Sequence, residues 1–461
     1  MRLDALLRPR SVAVVGASEK PTIGRRLIAS LDRIGFAGRV FPINPNYSAV
    51  LGRPCYPSLA ELPEAPDVAA FCLGHRLVED ALTAAAGRGI GAAVIYDGGF
   101  AERGEEGRRL QSRIEGICRD VGIALCGPNC MGVLSPNARC TTYLQELRDP
   151  AGLAGNVGIV SQSGSVCVGL LTDVRRFGFS HMVSSGNEAV LVAADYLEYL
   201  IDDPDTAVIG CFIESIRQRD RFVAALDRAA AAGKPVIVLK AGQAERTRQF
   251  IASHTGGEAG DPRTTSEILR AHRAIEVSDL VELSEVLAAF QGTTLPRGRR
   301  IGVVTSSGGV AELILDVATA AGLSLPPLPP LAKADIERQI GFVTGDGNPL
   351  DAWGSGTFLA NLPHALRVLE ESPEHDAIVF CRDNFDGQPF DQPETAATYL
   401  ELFANAAAAS RKPYYLLGTR PGIMDRGLVA QLRAAGVPVV GGIREGLGAI
   451  DRLAWWHSGE E

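Results

Sequence analysis

Three stretches of the chain repeat one pattern: an apolar, β-branched run, a turn of glycine and small residues, then an amphipathic segment with helical spacing. They are SVAVVGASEKPTIGRRLIASL from Ser11, GNVGIVSQSGSVCVGLLTDV from Gly155 and RIGVVTSSGGVAELILDVATAAG from Arg300. A strand apolar on both faces needs parallel neighbours and helices above and below, so each stretch reads as the first strand and helix of its own doubly wound parallel sheet. The second and third superimpose without a gap over VGIVSQSGSV and IGVVTSSGGV, which marks them as near-repeats. More strands follow at α/β spacing: VAAFCL, AAVIYDG and IALCG; AVIGCFIES and PVIVLKAG; DAIVFC, PYYLLG and PVVGG. Punctuation thickens at SPNARCTTYLQELRDPAG and QGTTLPRGRR, dividing the chain into expected domains over 1–135, 150–292 and 298–457.

A length of 461 residues gives each of three domains a core of ordinary size, and 51 glycines suit a fold with many tight strand-to-helix turns. The formal charge of -9, with no Lys/Arg cluster, provides no electrostatic footprint for nucleic acid or an anionic membrane surface. Arg2, Asp4, Arg8 and Arg10 interrupt the amino terminus, unlike a signal peptide, and no uncharged apolar run reaches membrane-span length; a cytoplasmic protein is expected. The nine cysteines are scattered through apolar runs and read as reduced core thiols. Only Cys126 and Cys130 are close-spaced, and without a second pair nearby they make a poor zinc site, so no metal site is expected.

Three glycine turns carry the candidate chemistry. VVGASEKPTIG, with Gly16, Ala17 and Ser18, ends a strand and opens a helix, where backbone N–H groups and glycine admit a phosphate. Its spacing is not the G-x-G-x-x-G fingerprint and FPINPNY offers no acidic residue for a ribose, so a nucleotide-containing ligand fits better than NAD. SQSGS (Ser161, Gln162, Ser163, Gly164) and TSSGG (Ser306, Ser307, Gly308, Gly309) are two further cradles able to address one phosphoryl group. His254 stands in ASHTGGEAG among small residues that cannot bury it, in what reads as an exposed, glycine-hinged loop. A neutral imidazole there can accept and surrender a phosphoryl group, with a carboxylate orienting its other nitrogen; Glu214 in CFIESI, at a strand's carboxyl end, is the candidate. SQSGS lacks the first glycine of a nucleophile elbow, which disfavours Ser-His-Asp hydrolysis.

The ordered series VAVVGAS, INPNY, GGFAE, CGPNCMG, IVSQSGSV, SSGNEA, DDPDT, FIES, PVIVLKAG and ASHTG resembles the NDP-forming acyl-CoA synthetases, the superfamily of succinyl-CoA synthetase and ADP-forming acetyl-CoA synthetase. The likeness runs from about residue 5 to 290, and NPLDAWG with the third glycine turn extends it over nearly the whole chain. It implies a Rossmann-like CoA-binding domain followed by two flavodoxin-like CoA-ligase domains. It places coenzyme A on Gly16, Ala17 and Ser18 and around Asn44, Gly99 and Asn129, a phosphohistidine on His254, its supporting glutamate on Glu214, and the flanking cradles on Ser161–Gly164 and Ser306–Gly309.

The implied reaction joins a carboxylic acid to CoA with conversion of NTP to NDP and phosphate, through acyl phosphate and phosphohistidine. The family's ATP-grasp module has no counterpart in these segments, which implies an α subunit whose β partner binds ATP or GTP with magnesium, in an α2β2 assembly. Asn46 stands where the family often has lysine, with Arg76 as a compensating cation, and Glu258 adds a negative charge beyond His254. The sequence does not rank small, dicarboxylic and aromatic acids. A non-catalytic CoA-binding scaffold, a Rossmann dehydrogenase and a lone protein acylation factor are the alternatives from other classes.

Overall fold

The computed structural model describes residues 3–254, 260–354, 357–383, 393–422 and 425–459. It contains β1 (Ser11–Val15), β2 (Arg39–Ile43), a short hairpin of β3 (Ala49–Val50) and β4 (Arg53–Pro54), then β5 (Val68–Phe71), β6 (Ala92–Ile95) and β7 (Ala124–Cys126). Apart from the hairpin these form a parallel sheet in the order β2-β1-β5-β6-β7. Every residue of β1, β5 and β6 is buried, the pattern of strands covered on both faces. The helix Ile23–Arg33 closes one face by burying Leu27, Ile28 and Leu31, side chains worth about 1.5–3 kcal/mol each when fully removed from water.

The second sheet holds β8 (Gly132–Ser135), β9 (Cys140–Thr141), β10 (Ala154–Ser161), β11 (Phe179–Ser184), β12 (Val208–Ile213), β13 (Val236–Lys240) and β14 (Ile275–Val277), in the order β14-β13-β12-β10-β11-β8-β9. It is parallel from β14 to β11, then antiparallel through β8 and β9. The antiparallel edge departs from the sequence reading, which took SPNARCTTYLQELRDPAG as a boundary. Pro136, Asn137 and the left-handed Arg139 (φ 49°) instead turn a hairpin, and hairpins use the same residues as linkers. The helix Arg219–Ala231 stops before Gly233, whose φ of +69° provides the expected termination.

The third sheet is parallel: β15 (Ile301–Thr305), β16 (Leu350–Asp351), β17 (Ala377–Cys381), β18 (Tyr414–Gly418) and β19 (Val439–Gly441), ordered β16-β15-β17-β18-β19. Numbered within each parallel set, all three sheets run 2-1-3-4-5. Their switch points lie between β1 and β5, β10 and β12, and β15 and β17; ligands of open α/β sheets gather at the carboxyl ends of such strands.

The chain divides into two compact units, Met1–Val174 with Gly178–Val277, and Arg175–Phe177 with Ser278–Glu461. The first unit holds the first two sheets around a shared core that includes Val12, Val14, Tyr196 and Leu197. Arg8 adds polar ties to it, 2.6 Å from Asp203 and 2.7 Å from Asp205. In the second unit the helix Leu280–Ala289 packs on Ile443–Ser458, and buried Glu285 joins Arg176 (2.6 Å) to the Gly441 N–H (2.7 Å). Among the described residues no helix is long and apolar enough to cross a membrane.

Candidate functional site

The first switch point is built by close backbone approach. Gly16 has φ +90°, and a Cβ there would stand 2.5 Å from the Cys72 carbonyl at the end of β5. A Cβ on Gly24 would stand 2.8 Å from the Gly16 carbonyl, so the helix packs directly on the turn. The N–H groups of Gly16 and Ala17 both donate to Ile43 O, at 2.9 and 3.2 Å. These two residues therefore shape the cradle while strand β2 takes their own N–H groups. Asn44 donates to Ala17 O at 2.7 Å, while Ser18 and Tyr47 share a hydroxyl contact of 3.2 Å. Thr22 precedes the helix Ile23–Arg33 with no side-chain cap, leaving that helix start open. Arg76 and Asn46 are exposed.

Gly99 and Asn129 meet through two residues that the sequence reading left without a role. Glu102 accepts from the backbone N–H of Gly99 and of Phe100, and its other oxygen accepts from Asn187 Nδ2 at 2.6 Å. Asn129, at φ 56°, donates to Asn187 Oδ1 at 3.2 Å. Burial alone raises the Glu102 pKa, but the bonds from Asn187, Gly99 and Phe100 outweigh it and hold the carboxyl below the usual range. At Gly186 a Cβ would stand 2.4 Å from Pro128 O, so SSGNEA and CGPNC touch backbone to backbone. The signal in the sequence was a Glu or Asn in each loop after an apolar strand.

At the second switch point Gln162, one residue past β10, reaches across to β12. Its Oε1 accepts from the N–H of Glu214 (2.7 Å) and Ser215 (2.9 Å), and its Nε2 donates to Ser215 O at 2.8 Å. Glu214 is thereby fixed at the carboxyl end of β12 with 9% of its surface exposed. Ser161 Oγ donates to Ser163 O (2.7 Å) and accepts from Ser163 N–H (3.2 Å), closing the turn before the helix Gly164–Leu170. Glu188 lies buried nearby, with Oε1 accepting from Ser185 Oγ at 2.9 Å and Oε2 unpartnered. Burial pushes its pKa up to about 7 against the bond from Ser185 and the charge of Arg217. Lys240, at the end of β13, donates to Glu214 O at 2.8 Å.

The phosphoryl-carrier candidate, His254, is the last residue of a helix, Glu245–His254. Its backbone is thus helical where the sequence suggested an open loop, since ERTRQFIASH runs on into the small residues. Its side chain, and residues 255–259 with Glu258, lie outside the described residues. At the third switch point Ser307 Oγ accepts from Val310 N–H at 3.4 Å and caps the helix Gly308–Ala320. Gly308 faces Asp351, to whose Oδ2 a Cβ would come within 3.7 Å. Eight of the nine cysteines are buried and all are free; the Cys126 and Cys130 sulfurs lie 4.0 Å apart. Among the described residues no group of three or more His, Cys, Asp or Glu is placed to hold a metal ion.

Residues 10–136 match a CoA binding domain, and residues 154–290 a succinyl-CoA ligase like flavodoxin domain. The chain is 40% identical over 272 residues to a trans-feruloyl-CoA synthase from an unknown prokaryotic organism, covering 56% of this chain and 38% of that protein. It is 31% identical over 381 residues to the α subunit of the ADP-forming acetate–CoA ligase II of Pyrococcus furiosus, covering 82% of this chain and 81% of that one. The chain thus spans well under half of the first of these relatives and about four-fifths of the second. The solved acetyl-coenzyme A synthetase 1 of Ca. Korarchaeum cryptofilum, in complex with phosphate and ADP, superimposes with a TM-score of 0.84 at 27% identity, over 99% of this chain and 97% of that one. With a CoA-binding sheet, a ligase-type sheet and this likeness over most of an α subunit, the chain belongs to the family of NDP-forming acyl-CoA synthetases.

Proposed function

We propose that this chain is the α component of an NDP-forming acyl-CoA synthetase, joining a carboxylic acid to CoA while NTP becomes NDP and phosphate. An ATP-grasp β partner supplies the nucleotide and magnesium site, in an α2β2 assembly. His254 takes the γ-phosphoryl group there and passes it to the acid's carboxylate, giving an acyl phosphate and free imidazole. The CoA thiol then attacks the acyl carbonyl, the C–O bond to phosphate breaks, and acyl-CoA and phosphate leave. Coenzyme A lies on the first sheet, over the Gly16–Ser18 turn and beside Asn44, Gly99 and Asn129, with Arg76 available to a phosphate.

The observation that carries this reading is the fixing of Glu214 by Gln162 at the second switch point. A carboxylate that orients an imidazole needs a fixed backbone beneath it, and three hydrogen bonds from Gln162 to the backbone of Glu214 and Ser215 supply one. Ser161–Gly164, in the turn beside Glu214, meets the phosphoryl group. The relatives' printed substrates span acetate and ferulate, so the acid is to be found by a panel running from acetate and succinate to ferulate.

The test is to mix the chain with candidate ATP-grasp subunits, magnesium and γ-labelled ATP. Base-stable, acid-labile label on His254, released by one acid of the panel plus CoA, is the expected result. A chain that binds CoA but takes no label with any partner is a CoA-binding scaffold, and the enzymatic reading fails.

A further inference from the structure

The end of β12 is held from two sides. Gln162 ties it to β10, and Lys240 ties it to β13. Lys240 is the last residue of β13, only 5% exposed, and its ammonium donates to the carbonyls of Glu214 and Ala241. A buried ammonium whose bonds go to carbonyls is expensive, and an apolar side chain would fill the same volume without that penalty. The two carbonyls are informative in their positions. One belongs to Glu214, and the other precedes Gly242 (φ +98°), the turn that leads into the helix Glu245–His254. Arg248 closes the same turn, donating to Gly242 O at 3.3 Å and Gln243 O at 3.0 Å.

We propose that Lys240 is a positioning residue for phosphoryl transfer, holding Glu214 and the His254-bearing segment in register, and that it acts only as the ammonium ion. This rests on the phosphohistidine reading above. The ammonium makes both carbonyl bonds charge-assisted, roughly twice as strong as the same bonds from the neutral amine, so deprotonation loosens the tie. The charged groups acting on it are Glu214, just past β12, and Glu276 of β14, which favour the ammonium. Burial outweighs them and pushes the pKa down to about 8, so the required form is lost over a range that enzymology can reach.

The experiment uses the complete enzyme, this chain with its ATP-grasp partner, in wild-type, K240R and K240M forms. His254 labelling rate and turnover are followed from about pH 6 to about pH 10. Wild type should show an alkaline limb centred near pH 8. K240R, whose guanidinium does not deprotonate, should keep activity and move the limb up by at least about one pH unit. K240M should lose roughly 10–100-fold in kcat, by analogy with other groups that orient a reacting residue, with the KM for CoA little changed. An unmoved limb in K240R overturns the proposal, and so does a K240M turnover close to wild type. If K240M does not fold, the K240R limb decides alone. Wild type that never labels at His254 removes the phosphohistidine reading first, whereas normal labelling that ignores Lys240 removes only this inference.

Discussion

The turns after β10 and β15 are near-copies, SQSGS against TSSGG, at the same place in sheets of the same strand order, and the molecule uses them differently. After β10 the second residue is Gln162, long enough to cross the switch point and bind the backbone around Glu214. After β15 the second residue is Ser306, too short to make that crossing. Ser163 makes no cap to its helix and contacts Ser165 Oγ at 3.0 Å, whereas Ser307 caps its own helix. Beyond β12 it is the backbone of Glu214 that is tied; beyond β17 it is the carboxylate of Asp383, which accepts from the Thr419 N–H at 2.7 Å and also from its hydroxyl. Duplication reproduces the backbone, and the length of one side chain decides whether the turn reaches across its switch point or closes only on its own helix.

The comparison is most exposed at Glu214. E214Q keeps the shape but not the charge, and should lower kcat by on the order of 10²–10⁴-fold while CoA affinity measured by calorimetry stays near wild type. A loss in affinity as large as the loss in kcat breaks the assignment. Q162A should lower turnover by roughly 10–100-fold and stability by about 1–3 kcal/mol in urea melts, because the backbone groups of Glu214 and Ser215 lose their partners.

Glu188 sharpens the contrast through pH. Its folded-state pKa is raised, so the folded chain binds more protons than the unfolded one between the ordinary carboxylate range and about 7. Stability contributed by the neutral carboxyl is fully present below that window and is lost as pH rises through it. E188Q, which cannot ionise, should therefore gain on wild type by about 1–3 kcal/mol between acid and neutral pH in denaturant melts; a gap that does not change with pH refutes the buried neutral carboxyl. The smallest effect is expected for S307A: about 1 kcal/mol of stability from a lost helix cap, with turnover within a few-fold of wild type. An S307A enzyme as impaired as Q162A would mean that both turns do the same work.

Much of the architecture was legible because its signals are local. Apolar runs such as VAVV and IGVV, and glycines such as Gly16 and Gly233, announce strands and turns wherever the chain later goes. The hairpin of β8 and β9 was not legible, since Pro136 and Asn137 punctuate a turn and a linker alike. His254 and Glu214 were proposed from chemistry and resemblance together, while the helix carrying His254 was missed because ERTRQF was not read as continuing into ASH. Nor was it legible that Ile43 accepts the N–H groups of both Gly16 and Ala17, because nothing local reveals it.

The sequence by itself determined three α/β units and their glycine turns, and it supplied His254 as the candidate phosphoryl carrier. Tertiary structure alone decided that β12 lies between β10 and β13, and hence that Gln162, Glu214 and Lys240, scattered over 79 positions of the chain, share one strand end. The physical reason is range. Periodicity and turn preference act over a few neighbouring residues, whereas strand order is set by which apolar faces bury one another across the sheet, and only that order determines which side chains meet.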